Sequence, residues 1–173
     1  NGESKSLHDI NPLRFEYIKN RSNLKNAKVL DIGCGGGEYL AWMAKRNSTY
    51  RLWGVDHSEE MIRMARKVNK RFIREGRMEI IQGLAGDLKL KEREFDLITA
   101  FETVQFWPDT GKSFSDIRRM IKDGGCFIII NLYPSEGTKW WKIAKLKNEK
   151  EYIDMLNKAG FSKVSTDLSF RKG

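Results

Sequence analysis

Residues 29–40 read VLDIGCGGGEYL. Gly33, Gly35, Gly36 and Gly37 fall within five positions, directly after an apolar run that carries one acid, Asp31. Such a loop removes side chains where a ligand must approach the backbone, and glycine also permits φ > 0 there. The dinucleotide pattern G-x-G-x-x-G, counted from Gly33, fails because Glu38 stands at the third glycine. The pattern D-x-G-x-G-x-G fits, through Asp31, Gly33, Gly35 and Gly37. Charge argues the same way. A pyrophosphate seeks the positive end of a helix, and Asp31 repels it. A ligand carrying an ammonium and a sulfonium is attracted instead, and S-adenosylmethionine carries both. Its methionine end can lie over Gly33 and Gly35, with Cys34 between them in the loop. The alternative is a glycine turn that serves packing alone.

A second acid supports the ligand reading. Asp56 closes YRLWGVD (50–56), 19 positions after Gly37. An acid about 20 residues beyond a glycine turn binds ribose hydroxyls in the related dinucleotide unit, through charge-assisted bonds. The competing role, capping the next helix, suits Ser58 better, because Glu59 and Glu60 then occupy the first turn. His57 borders the expected adenine position.

Elements that alternate between strand and helix must hold these residues. KVLDI (28–32), YRLWGVD (50–56), MEIIQ (78–82), FDLITAF (95–101) and CFIIINL (126–132) read as strands, and KVSTDLSF (163–170) as a last one by its alternation. FDLITAF is nearly all apolar, as a strand covered on both faces should be. EYLAWMAKR (38–46) has helical spacing, and Met61, Ala65, Val68 and Phe72 stripe a second helix. Phe114, Ile117 and Ile121 mark a third that Gly124-Gly125 stops, and Tyr152, Met155, Leu156 and Ala159 a fourth that Gly160 ends. This alternation predicts an α/β, doubly wound and mostly parallel sheet flanked by helices. Ligands in such sheets bind beyond the carboxyl ends of the strands, where the glycine loop lies.

VLDIGCGGGEYL, VDHSEEMIRMAR, FDLITAFETVQFWPD and GGCFIIIN resemble, in order and spacing, the motifs of class I S-adenosylmethionine-dependent methyltransferases, over residues 28–170. AFETVQFWPD and KAGF are similar to a group of small prokaryotic methyltransferases whose substrates are mostly unassigned. LHDINPLRFEYI (7–18) resembles the N-terminal segment of ubiquinone-pathway O-methyltransferases. The downstream Glu-His pair of those enzymes is absent, Val104-Gln105 standing instead, so their substrate is not carried over.

The resemblance implies a Rossmann-like core over 28–173 behind an N-terminal cap segment, 1–27, with S-adenosyl-L-homocysteine as product. It aligns the family's stretch G-D-A-x-x-L-P-F onto Gly83–Leu90, with Leu84 at the acid position. The adenine is then held by the Ala85 backbone N–H and by apolar faces at Leu84 and Met61, with Phe101 also at the cofactor. Asp87 becomes a cap. The family's sheet ends in an antiparallel hairpin, of which this chain carries KVSTDLSF and the start of a turn. The last antiparallel strand is therefore expected to be missing from it.

Methyl transfer from a sulfonium is an in-line displacement, and alignment supplies much of the rate. A base is needed only where the nucleophile must lose a proton; His8, Tyr17 and Glu102 are the candidates, and no catalytic residue is assigned. The acceptor is expected at the ends of the fourth and fifth strands, among Glu102, Gln105, Phe106, Trp107 and Trp140. For Phe106 and Trp107 the alternative is core beneath the loop, and for Trp140 and Trp141 the packing of a short helix. These loops are too short for a large substrate domain, which favours a small-molecule acceptor.

Composition bounds the rest. A chain of 173 residues, 40% hydrophobic, makes one domain with a substantial core. No run of about 18 apolar residues exists, so no membrane partner is expected. NGESKSLHD is polar and lacks a signal core. Cys34 and Cys126 are too few for a disulfide framework and show no metal spacing, which points to the cytoplasm. The net charge of +9 raises nucleic acid as a partner, but the Lys and Arg residues are scattered as on a solvated surface. RNA or protein methylation and a non-catalytic cofactor-binding module are the alternative functions. A nicotinamide dehydrogenase is disfavoured by Asp31 and Glu38, and the residues specify no oligomeric state.

Overall fold

The computed structural model describes residues 24–167. Five strands form one parallel sheet: β1 (Lys28–Ile32), β2 (Arg51–Asp56), β3 (Met78–Gln82), β4 (Phe95–Phe101) and β5 (Ile121–Ile130), in the order β3-β2-β1-β4-β5. Chain order reverses between β1 and β4, so the carboxyl ends of these two strands flank the switch point where α/β sheets bind ligands. Alternation along the strands splits the core in two. Val29, Leu52 and Leu97 pack on one face with α1 (Glu38–Arg46), α2 (Glu59–Val68) and α3 (Lys70–Arg74). Leu30, Ile98 and Ala100 pack on the other with α4 (Thr110–Met120) and with Tyr152 of α6 (Glu149–Lys158). The short α5 (Lys139–Ile143) follows β5.

Local chemistry sets the helix starts. Ser58, Asp109, Thr138 and Asn148 each cap the helix that follows by accepting a backbone N–H. At Asn148 the Glu151 carboxylate reaches back to accept the Lys147 N–H at 2.7 Å and the Asn148 side-chain amide at 2.9 Å, which braces this helix start. The first helix begins instead directly after Gly37.

Three expectations need correction. Gly124-Gly125 do not stop a helix: α4 ends at Met120, and Ile121 already pairs with Phe95. The register then shifts, and Lys122–Gly125 form a bulge before Cys126 pairs with Leu97. The second helix presents Ile62 and Ala65 inward, in line with the fully buried Asn69, rather than Met61 and Val68, and the stripe is interrupted where the helix breaks at Asn69. Residues 163–167 of KVSTDLSF join no strand, and residues 168–170 lie outside the described residues. Among the described residues β5 is thus an edge, and a groove of about 720 Å³ runs along it.

Candidate functional site

The loop between β1 and α1 is stitched to the end of β2. The Gly33 and Cys34 N–H groups donate to the Val55 carbonyl at 2.7 and 2.9 Å. The Gly35 N–H donates to Asp56 Oδ2 at 2.9 Å. Asp56 Oδ1 accepts the Ser58 N–H at 2.9 Å and lies 3.5 Å from His57 Nδ1. The Gly83 N–H donates to the Asp56 carbonyl at 3.0 Å, bringing the end of β3 to the same place. Ser58 Oγ receives the Met61 N–H, so Met61 also stands beside Asp56. Sequence distance therefore becomes contact for Gly35 and Asp56, and neighbourhood for His57 and Met61.

The glycines serve different ends. A Cβ on Gly33 would lie 2.2 Å from Thr103 Oγ1, and one on Gly37 2.6 Å from Asn69 Nδ2. Both admit protein groups: Thr103 from the loop after β4, and Asn69, whose amide donates to the Gly37 carbonyl at 3.0 Å. Packing alone therefore already requires glycine at these two positions. Gly35 differs. It sits at φ +52°, and a Cβ there would meet no protein atom within 4 Å. This is the cradle that a ligand can enter, beside the Asp56 carboxylate.

Asp31 is the acid of β1 that precedes the loop. It is 3% exposed and accepts the Thr99 hydroxyl at 2.7 Å across β1 and β4. Cys34 offers only backbone, because its thiol is buried next to Leu40 and Gly54. Burial, then the charges of Asp31 and Asp56, push that thiol well above its ordinary range. Phe101 is buried and meets Tyr39 edge to face at 4.9 Å. Leu84 is exposed and Ala85 half-buried after β3. Asp87 is exposed in the turn closed by its own N–H on the Leu84 carbonyl, and it precedes no helix.

Where the sequence places the acceptor, the loop after β4 contains a 3₁₀ turn, Val104–Phe106. Glu102 holds φ +53° and its carboxylate accepts the Leu132 N–H at 3.1 and 3.3 Å, tying β4 to β5. Gln105 Nε2 donates to the Glu102 carbonyl at 2.8 Å, and Asn131 Nδ2 donates to Gln105 Oε1 at 2.7 Å. Phe106 is 68% exposed. Trp107 corrects the pocket expectation: it is 4% exposed, packed edge to face on Phe114 in the core. Trp140 and Trp141 are half-buried in α5. His8 and Tyr17 lie outside the described residues. Thr99, Thr103, Asn69 and Asn131 were missed by sequence reasoning, because single polar residues in mixed segments carry no spacing signal. Among the described residues no cluster of His, Cys, Asp or Glu could hold a metal.

A glycine loop bonded to an acid at the end of the neighbouring strand, at the switch point of a doubly wound parallel sheet, defines a Rossmann-like cofactor-binding domain. Residues 30–129 match the family model described as methyltransferase domain. The chain is 37% identical over 136 residues to the ubiquinone biosynthesis O-methyltransferase of Pseudomonas syringae pv. tomato, across 76% of this chain and 56% of that one. Its counterpart in Neisseria meningitidis is 33% identical, across 77% and 56%. A structure of Haemonchus contortus phosphoethanolamine N-methyltransferase 2, in complex with phosphomonomethylethanolamine and S-adenosylhomocysteine, superposes with a TM-score of 0.75 at 26% identity, covering 88% of this chain and 37% of that one. The chain belongs to the methyltransferase domain family. It spans about half the length of the curated relatives it matches.

Proposed function

We propose that the chain binds S-adenosylmethionine over the Gly33–Gly37 loop and directs its methyl group to a small-molecule acceptor at the ends of β4 and β5, leaving S-adenosylhomocysteine. The observation that carries this reading is the open space at Gly35 beside the Asp56 carboxylate. A carboxylate has about four acceptor sites. Two are used by backbone N–H groups, which leaves capacity for ribose hydroxyls. Asp31 and Asp56 give the loop a negative potential suited to a sulfonium and an ammonium, and opposed to a pyrophosphate. Leu84 and Met61 offer apolar contact to an adenine, and Ala85 a backbone N–H.

The cofactor supplies a methyl carbon already activated by its sulfide leaving group. What remains for the protein is alignment. Glu102, Gln105 and Phe106 position the acceptor: the first two are locked to β5 through Leu132 and Asn131, so the loop is preorganised. A fixed carboxylate that only stabilises the bound sulfonium lowers no barrier, since only interactions stronger in the transition state accelerate the step. Both cysteines are free, as suits a reducing compartment, and we place the protein in the cytoplasm.

The test is incubation with methyl-labelled cofactor and a metabolite extract, followed by fractionation. Label in the small-molecule fraction supports the reading. Label confined to RNA or protein contradicts the acceptor class. Cofactor binding without any labelled product identifies a non-catalytic module.

A further inference from the structure

The Lys and Arg residues spread along the chain are densest at 63–77, where seven stand against a single acid, Glu75. Seven cations less one anion leave +6 there, in a chain whose total formal charge is +9. The stretch covers most of α2, all of α3 and the turn into β3. Two of the seven are committed to the fold. Arg77 is half-buried and donates to the Ala44, Asn47 and Ser48 carbonyls. Arg71 pairs with Glu75 at 2.7 Å. The other five, Arg63, Arg66, Lys67, Lys70 and Arg74, are exposed, and none makes an ion pair among the described residues.

The fold lines three of these five up. Arg66, Lys70 and Arg74 recur every four residues and border one shallow groove of about 330 Å³, with Ile73, Met78 and Glu79 among its other walls. Arg66 Nη2 donates to the Ile80 carbonyl at 2.9 Å, which sets the first of the three against β3. That strand pairs only with β2, so it is an edge of the sheet among the described residues. Four helical residues rise about 6 Å, so the row presents a cation at every turn. The break at Asn69 does not scatter it: the Asn69 N–H still donates to the Ala65 carbonyl, and the Ile73 N–H to the Asn69 carbonyl. Arg63 and Lys67, also four apart, extend the charge along α2. Glu79, the acid on the groove wall, accepts Trp53 Nε1 at 3.0 Å.

A row of cations fits a partner whose anions repeat along a line, and a chain of phosphates is such a partner. Arginine adds a planar fork that binds two phosphate oxygens at once. A bilayer fits less well. Phe72, the one aromatic residue of the stretch, is buried, and the exposed large apolar side chains of α2 are Met64 and Val68 alone, too little to enter an acyl boundary. A single strand also fits less well, because unstacked bases need aromatic platforms. We propose that the α2–α3 face is a contact for the phosphate backbone of a nucleic-acid duplex, engaged through charge and not through base sequence. The face lies at the β3 edge, and the loops after β4 and β5 lie beyond β2 and β1 from it. The inference therefore stands independently of methyl transfer, and the duplex is a docking partner rather than the methyl acceptor.

Fluorescence anisotropy with short labelled duplexes of mixed sequence, titrated at stepped salt concentrations, tests it without any activity readout. An RNA duplex and a DNA duplex of equal length should both bind, and a single strand of that length should bind more weakly. The logarithm of the affinity should fall with the logarithm of the salt concentration, with a slope of about −4.5 if all five exposed cations meet phosphates. Lys70→Gln/Arg74→Gln should make that slope shallower by about 1.8 and weaken both duplexes alike. Lys142→Gln/Lys158→Gln removes the same charge from α5 and α6 and should keep the parent slope. All four positions are exposed, so the melting temperatures should match the parent's and show that the variants fold. Binding of neither duplex overturns the proposal. Equal losses in the two double variants reduce the binding to net charge and also overturn it. Tighter binding of the single strand, or retention by anionic vesicles at a salt concentration that releases the duplexes, overturns it as well.

Discussion

Asp56 has two tasks at one carboxylate. It fixes the glycine loop through the Gly35 N–H, and it presents lone pairs at the mouth of the proposed ribose site. Asp56→Ala should therefore weaken S-adenosylmethionine binding by about 1.5–3 kcal/mol, read by calorimetry; an unchanged dissociation constant would remove Asp56 from the site. Cys34 makes a different prediction. Burial and the neighbouring Asp31 and Asp56 hold its thiol above the ordinary value of 9.0, so the folded state favours the neutral form. The unfolded thiol ionises first as pH rises. The stability that this group contributes is thus complete below that value and is lost above it. Burial moves Cys126 and Tyr152 in the same direction. Urea midpoints should fall between about pH 8 and about pH 10, and fall less in Cys34→Ala. An identical drop in both proteins would exclude Cys34 as a source.

Elements decide which aromatic residues are structural. Trp107 directly follows the 3₁₀ turn, yet it points into the core under α4. Trp107→Ala should cost about 3–5 kcal/mol of stability, whereas Gln105→Ala should lower turnover and leave cofactor affinity within about threefold. Parallel loss of cofactor binding in the Gln105 variant would break the separation between the acceptor loop and the cofactor loop. Sequence reasoning located KVLDI, MEIIQ and FDLITAF at the bounds observed for β1, β3 and β4, because apolar runs between polar turns are a local signal. The start of β5 was illegible for a physical reason: Lys122-Asp123-Gly124-Gly125 is locally a turn, and only pairing with Phe95 draws Ile121 into the sheet. The stripe of the second helix failed at Asn69, where a buried amide binding the Gly37 carbonyl outweighs helical continuity. Spacing paired the glycine loop with Asp56 at one expected site, but the direct bond from the Gly35 N–H to the Asp56 carboxylate was not legible in it. The close approaches of Thr103 to Gly33 and of Asn69 to Gly37 depend on tertiary packing alone.

At the scale of the whole molecule, a single sheet brings the glycine loop and the proposed acceptor loop to the same ends of the strands. The central claim is that the loop accepts a sulfonium nucleoside and rejects a pyrophosphate dinucleotide, because its field is negative and Gly35 leaves open space beside the Asp56 carboxylate. Calorimetric titration of the parent chain and of Gly35→Val tests this most directly. Valine at φ +52° costs about 1–2 kcal/mol in backbone strain, so the variant should remain folded by circular dichroism. The account predicts that the parent binds S-adenosylmethionine and S-adenosylhomocysteine at one site and does not bind NADH, and that folded Gly35→Val binds none of them. Parent-like binding of S-adenosylmethionine by Gly35→Val, or preferential binding of NADH by the parent, would contradict it.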